Sequence, residues 1–329
     1  MVSSATCITG NPATSNTVNM RITPLRAVVI TISASANPVC EGTSVSFTST
    51  VVNGGTAPQY QWKVNGSSVP DATNSVFMYV PANNDVITCT VTSNITCPSG
   101  NPATSKALKM KVNPSKPVSV TIVASANPVC AGTSVNFTAS AMNGGTLPQY
   151  RWKVNGANIT NATNTTFSYV PVDGDGVTCE LTSNVTCATG NPALSSPVTM
   201  TVNPLKPVSV TIAASANPVC EGTSVDFTAI AINGGTNPQY QWKVNGANAA
   251  NATNATFSYI PVNGDVVTCE LTSNATCATG NPALSSPMTM TVNPLKPVSV
   301  TIAASANPVC AGTSVNFTSS AVNGGTNPQ

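Results

Sequence analysis

Cysteine is the residue type in this chain whose chemistry and spacing are most regular. The 329 residues contain 11 cysteines and no histidine. A set of three recurs at intervals of 90 residues, and one further cysteine lies before and one after these sets: Cys7; Cys40, Cys89, Cys97; Cys130, Cys179, Cys187; Cys220, Cys269, Cys277; Cys310. Zinc binding is disfavoured because histidine and Cys-x2-Cys pairs are both missing from the sequence. The pattern instead indicates disulfides formed in an oxidising compartment.

Other side chains offer little reactive chemistry. Asp173 and Asp175 are spaced as in a calcium loop, but the sister copies keep one of these two carboxylates, so we interpret the segment as a plain turn. The tryptophans alternate with polar neighbours, which predicts core packing and not sugar stacking: Trp62, Trp152 and Trp242. No nucleophile is paired with a base, and the commonest acid–base residue is absent. We therefore predict a non-enzyme without metal or cofactor.

A segment beginning SANPVC returns every 90 residues and indicates tandem copies of one domain. The repeat predicts the C-terminal part of a preceding copy over 1–25 and the N-terminal part of a following copy over 296–329. Three complete copies lie between them, and we call 26–115 copy 1, 116–205 copy 2 and 206–295 copy 3. The linkers contain proline and few spare residues, so we expect a semi-rigid rod.

Copy 2 illustrates the secondary structure that every copy repeats. Apolar and polar residues alternate in short runs, which predicts half-buried strands over 118–122, 135–139, 150–154, 167–169, 177–181 and 198–202. Turns rich in glycine, proline and asparagine separate the runs, and no helical periodicity is present. The sequence therefore predicts an all-β fold, with about seven strands in each β-sandwich domain.

The strand pattern suggests how the cysteines pair, and it leaves alternatives open. The first cysteine of each set precedes the second strand and the next lies near the start of the sixth, at the same end of a sandwich. This favours pairing within copies: Cys40–Cys89, Cys130–Cys179 and Cys220–Cys269. The loop cysteines face the opposite end and are free or inter-domain: Cys7, Cys97, Cys187 and Cys277. The alternatives are pairing between copies, such as Cys40 with Cys187, and unpaired buried thiols.

Composition excludes two classes of partner. Charged residues make up 7% of the chain and the net charge is +2, so nothing favours binding to nucleic acid or to an anionic membrane. No apolar run reaches the roughly 18 residues of a membrane-spanning helix, so we expect no membrane insertion in this segment. The surface must be built from neutral Thr, Ser, Asn and Gln, and uncharged edge strands favour lateral assembly with copies of itself.

Four motifs carry a resemblance to a known family: SANPVCxGTSVxFT, NGGTxPQYQWKVNG, GDVVTCELTSNATCATGNPA and VNPLKPVSVTI. They resemble the Ig-like repeats of giant cell-surface adhesins and filament proteins that Bacteroidota export by the type IX secretion pathway. The resemblance implies tandem Ig-like sandwiches, an extracellular location and a role in adhesion. Val177 stands where antibody-type domains place a tyrosine, so the sequence departs from that subgroup.

From these observations we expect the structural shaft of an extracellular adhesin or multi-chain filament. Disulfide-stapled domains in series would span distance and bear load during attachment to surfaces or other cells. Two alternatives remain: modules that bind a cell-surface glycan or protein, and a spacer within a larger secreted enzyme.

Overall fold

A computed structural model describes residues 1–10 and 12–326 and contains strands but no helix in that part of the chain. Residues 327–329, the last three of the predicted C-terminal fragment, lie outside the described residues. Among the described residues, no helix long and apolar enough to span a membrane occurs.

Each complete copy is built from twelve short strands. In copy 1 they are β1 Arg26–Ala27, β2 Val29–Ala34, β3 Val39–Cys40, β4 Val45–Val52, β5 Gln59–Val64, β6 Ser67–Ser68, β7 Val76–Tyr79, β8 Val86–Thr92, β9 Pro98–Ser99, β10 Ala103–Thr104, β11 Leu108–Lys109 and β12 Val112–Asn113. In copy 2 they are β13 Lys116–Pro117, β14 Ser119–Ala124, β15 Val129–Cys130, β16 Val135–Met142, β17 Gln149–Val154, β18 Ala157–Asn158, β19 Thr166–Tyr169, β20 Gly176–Thr182, β21 Ala188–Thr189, β22 Ala193–Leu194, β23 Val198–Thr199 and β24 Val202–Asn203.

Copy 3 and the C-terminal fragment follow the same order. Copy 3 contains β25 Lys206–Pro207, β26 Ser209–Ala214, β27 Val219–Cys220, β28 Val225–Ile232, β29 Gln239–Val244, β30 Ala247–Asn248, β31 Thr256–Tyr259, β32 Val266–Thr272, β33 Ala278–Thr279, β34 Ala283–Leu284, β35 Met288–Thr289 and β36 Val292–Asn293. The fragment contains β37 Ser299–Ala304 and β38 Phe317–Val322, which pair with each other.

The two main sheets of a copy are antiparallel and form an Ig-like sandwich. In copy 2 one sheet has the order β14-β16-β19 and the other has the order β18-β17-β20-β22, with β23 also paired to β20. A single interrupted segment, residues 193–203, supplies β22, β23 and β24. The all-β, tandem Ig-like prediction is confirmed, and the strands missed from the sequence are two-residue pairings without a clear alternation of their own.

Alternation in the long strands fills one core in each copy. In copy 2, Val135 and Phe137 of β16 and Val177 of β20 are fully buried, while Asn136 between the first two faces solvent. The side chain of Trp152 is 0% exposed, and its ring packs 6.2 Å from that of Phe137 on the other sheet. Because each sheet presents its apolar residues on one face, the sheets pack these faces together. The same cluster forms in copies 1 and 3.

Candidate functional site

The contacts between neighbouring copies form the most distinctive site. Copies 1 and 2 are connected by Pro114 and Ser115, between strands β12 and β13. Copies 2 and 3 are connected in the same way by Pro204 and Leu205, between β24 and β25. We call these regions junction 1 and junction 2. A two-residue connection brings the end of one sandwich close to the start of the next.

Each copy presents one cysteine at its C-terminal end. In copy 2, β15 pairs in parallel with β24, which aligns Cys130 with Asn203 just before junction 2. The side chain of Asn127 holds the same edge, since it donates to the Thr199 carbonyl at 2.8 Å and accepts from the Thr201 amide at 2.9 Å. Val129 is buried, so the next side chain in this strand, that of Cys130, points away from the core.

A polar turn supports the same end of the copy. The Asp173 carboxylate accepts a hydrogen bond from the Val202 amide at 2.8 Å, next to the strand that holds Cys130. Asp175 accepts from the Val172 amide at 2.9 Å and from the Tyr169 hydroxyl at 3.2 Å. The backbone donor is the main cause that holds the pKa of Asp175 below its usual range, against the opposing effect of burial. The pair of carboxylates therefore fixes a turn, as the sequence suggested.

The loop cysteine lies at the opposite, N-terminal end. Strand β13 pairs in parallel with β21, and the Lys116 amide donates to the Cys187 carbonyl at 2.9 Å. The loop is held at its base, because the Asn191 side chain bonds both backbone groups of Ser183, at 2.8 and 2.9 Å. Cys187 itself has a φ of 64°, so the loop turns sharply at this residue.

A second set of hydrogen bonds, made by the side chain of Asn184, holds the start of this loop. Asn184 accepts from the Leu147 amide at 3.2 Å and donates to the Thr146 hydroxyl at 3.1 Å. A Cβ added to Gly145 would lie only 1.9 Å from the side-chain oxygen of Asn184, and Gly145 has a φ of 85°. Glycine, which has no Cβ, fits this position. The sandwich thus presents Cys187 from a loop that several hydrogen bonds hold in place.

Two disulfides connect these ends across the junctions. Cys40 of copy 1 bonds Cys187 of copy 2, with 5.4 Å between their Cα atoms. Cys130 of copy 2 bonds Cys277 of copy 3, with a Cα separation of 5.5 Å. Both bonds join residues that are 147 positions apart in sequence. The middle copy therefore contributes one cysteine to each neighbour.

The predicted disulfides within copies, Cys40–Cys89, Cys130–Cys179 and Cys220–Cys269, are wrong in this structure. Cys130 points outward beside the buried Val129, whereas Cys179 faces the core as the cross-strand partner of Trp152. Among the described residues, Cys179 is the one cysteine in the core cluster of copy 2, so it has no thiol partner there. Pairing between copies, the alternative left open by the sequence, is the arrangement that the structure shows.

The inward-facing cysteines are unpaired thiols that lie beside the core tryptophans in the same sheet. Cys89, Cys179 and Cys269 are fully buried, and burial raises the pKa of each thiol to about 11. Each is paired with a fully buried tryptophan on the neighbouring antiparallel strand: Trp62, Trp152 and Trp242, respectively. Buried protonated thiols are poor nucleophiles, so these residues serve the core.

The remaining cysteines occupy the positions of bonded ones but have no disulfide partner among the residues that the structure describes. Cys220 is exposed and aligns with Asn293 in the same parallel pairing that holds Cys130. Cys97 lies in the loop that corresponds to that of Cys187, at the N-terminal end of copy 1. Cys7 and Cys310 are free and exposed.

A disulfide is a side-chain contact that both junctions share. At junction 1 the Ser115 amide donates to the Glu41 carboxylate at 3.3 Å, and its hydroxyl lies 3.4 Å from that of Thr189. At junction 2, Ala131 and Leu205 stand in the places of Glu41 and Ser115, and neither side chain can form a hydrogen bond. Covalent bonding thus joins the copies where the polar contacts differ.

These features define the class of protein as tandem Ig-like sandwiches joined by disulfides. No family model matches the chain. It is 30% identical over 247 residues to the highly immunogenic outer capsid protein of Enterobacteria phage T4, and the match covers 70% of this chain and 63% of that protein. The chain thus spans less than two thirds of that relative's length.

Solved structures of multi-domain Ig proteins overlay weakly. Three N-terminal domains of the bacteriophage RB49 highly immunogenic outer capsid protein match with a TM-score of 0.29 at 10% identity, over 82% of this chain and 100% of that one. The mouse nectin-like molecule 4 ectodomain gives a TM-score of 0.29 at 14% identity, over 78% and 97% of the respective chains. The Ig-like assignment rests on the strand pairing within each copy.

Proposed function

We propose that this chain is the shaft of a structural protein displayed on an external surface, where Ig-like domains in series span distance and bear load. The observation that carries this proposal is the pair of disulfides across junctions 1 and 2. A bond inside a domain stabilises that domain alone, whereas a bond across a junction restrains the angle between two domains. Rigid spacing is the property that a shaft needs.

Two further observations support an external location. Disulfides persist in oxidising surroundings and are rare in reducing ones. The phage T4 relative is named as an outer capsid protein, which is a surface role for a chain of similar sequence. Adhesion by a cell-surface filament, a source in Bacteroidota and export by the type IX pathway remain predictions from the sequence resemblance.

Lateral assembly with copies of itself is part of the proposal. The outer face of the sheet β14-β16-β19 presents neutral side chains such as Thr121, Ser140 and Thr138, which repel a neighbouring copy weakly. Sedimentation of the purified chain over a range of concentrations tests this part. A monomer at every concentration would contradict it without affecting the shaft.

Immunogold electron microscopy tests the display. Antibodies raised against the chain should label the outside of intact native cells or particles. Label that is accessible only after lysis would refute external display. Glycan-array binding by the isolated chain would move the function to the alternative of a binding module.

Solution scattering tests the rod. Small-angle X-ray scattering should give a single elongated shape for the oxidised chain. The C40S/C130S variant, which lacks both junction disulfides, should give a broader distribution of end-to-end distances. The matched control is C220S, because Cys220 occupies the same strand position without a partner. Equal distributions for all three proteins would show that the disulfides do not set the rod's stiffness.

A further inference from the structure

The two disulfides close loops that overlap along the chain. One closed loop runs from Cys40 to Cys187 and the other from Cys130 to Cys277. Residues 130–187, the central part of copy 2, belong to both loops. Every peptide bond from Cys40 to Cys277 is therefore bypassed by at least one disulfide, and those between Cys130 and Cys187 are bypassed by two.

We propose that this overlap keeps the shaft covalently continuous after its backbone is cut. A protease that cleaves anywhere between Cys40 and Cys277 leaves both fragments joined by a disulfide. Separate disulfides within each copy would not achieve this, because the linkers and many loops would lie outside them. The overlap follows from a pairing distance, 147 residues, that exceeds the 90-residue period.

Exposed turns offer equivalent places for a cut in each copy. The Asn-Gly turn after the tryptophan strand lies at Asn65–Gly66, Asn155–Gly156 and Asn245–Gly246, is exposed in all three copies and has open space around its glycine. Exposed tight turns are preferred sites of nicking and tolerate insertions. The first turn lies in the Cys40–Cys187 loop alone, the second lies in both loops, and the third lies in the Cys130–Cys277 loop alone.

The test places a recognition sequence for a site-specific protease in one turn at a time. After cleavage at Gly156, the oxidised full chain should run as one species in denaturing gels without reductant and as two with it. C40S and C130S should each still run as one species, because one disulfide remains. C40S/C130S should run as two. The control is a site between Leu295 and Lys296, outside both loops, which should release the C-terminal fragment under either condition.

Single variants distinguish this topology from pairing within copies. With a cut at Gly156, the overlap predicts that C130S stays joined through Cys40–Cys187. Pairing of Cys130 with Cys179 predicts that C130S falls apart, and this result would overturn the proposal. Cuts at Gly66 and Gly246 should be sensitive to C40S alone and to C130S alone, respectively.

The readout is independent of where the protein is displayed. A chain that stays joined after cleavage but is found only inside cells would refute the proposed function and leave the overlap intact. A covalent dimer that persists without reductant after the free Cys7, Cys97, Cys220 and Cys310 are replaced by serine would assign the bonds to two chains and overturn the overlap. Peptide mapping of the disulfides by mass spectrometry confirms the identity of each bonded pair.

Discussion

The contour length of the chain when it is stretched from its two ends should depend on which cysteines are paired. In the oxidised chain, the shortest covalent path from Cys40 to Cys277 crosses to Cys187, returns along the backbone to Cys130 and crosses again. The backbone part of this path is 57 residues (187 minus 130). Without disulfides the path is the whole 237 residues (277 minus 40). At about 3.5 Å per extended residue, these paths correspond to about 200 Å and about 830 Å.

Force spectroscopy of the full chain, held at its termini, measures the difference between these lengths. The C40S/C130S variant, or addition of reductant, should lengthen the fully stretched chain by about 630 Å relative to the oxidised wild type, which is the contour of 180 residues. C40S or C130S alone leaves a path of 90 residues, so each should lengthen the chain by about 115 Å.

The variant C220S separates this topology from pairing within copies. Cys220 is free and exposed, so its replacement should leave the stretched length unchanged. If Cys220 were bonded to Cys269, the same replacement would add the 49 residues between them, or about 170 Å. An increase of that size in C220S would refute the assignment of the bonds to the junctions.

Three other measurements test the core, the thiols and the acid response. W152A should lower the free energy of unfolding by about 3–5 kcal/mol in urea melts, because Trp152 is fully buried, and a loss below about 1 kcal/mol would contradict this packing. Iodoacetamide at pH 8 should label four cysteines of the native chain and all seven free cysteines in denaturant. The other three, Cys179 and its two counterparts, are protected because burial raises the pKa of each thiol to about 11. Labelling of Cys179 in the native chain would contradict that burial. The Val262 amide holds the pKa of Asp265 below its usual range, so the stabilisation it provides should be present above about pH 4 and lost as pH falls through the folded-state pKa. Urea melts at pH 7 and pH 3 should show a smaller acid-induced loss in D265N than in the wild type.

The core could be predicted from the sequence because the alternation of apolar and polar residues along a strand shows which side chains face the core. Val135, Phe137 and Trp152 each alternate with polar neighbours, and each is buried in the structure. A strand with one apolar face has to cover that face, and two such sheets have few ways to do so. The same alternation recurs in copies 1 and 3, so the same positions are buried there.

The disulfide pairing could not be predicted from spacing alone, because it depends on which way each side chain points. One local signal was present: Val129 continues the inward alternation, so Cys130 beside it has to face outward. A second signal was the alternation of Val177, Cys179 and Leu181, which places Cys179 in the core with its two apolar neighbours. The parallel two-residue pairings that bring Cys130 and Cys187 to opposite ends join residues far apart in sequence, and no local pattern marks them.

The odd number of cysteines in each copy follows from the way the copies are joined. Pairing within a copy uses cysteines in twos and leaves one of three unexplained. In copy 2, Cys130 bonds forward to copy 3, Cys187 bonds back to copy 1, and Cys179 stays in the core as a thiol. A middle copy thus needs one cysteine for each neighbour, whatever the core contains. Both bonds span more than one period, so the closed loop that each new copy adds overlaps the loop before it. An array of any length that repeats this pairing is therefore covalently continuous in the same way.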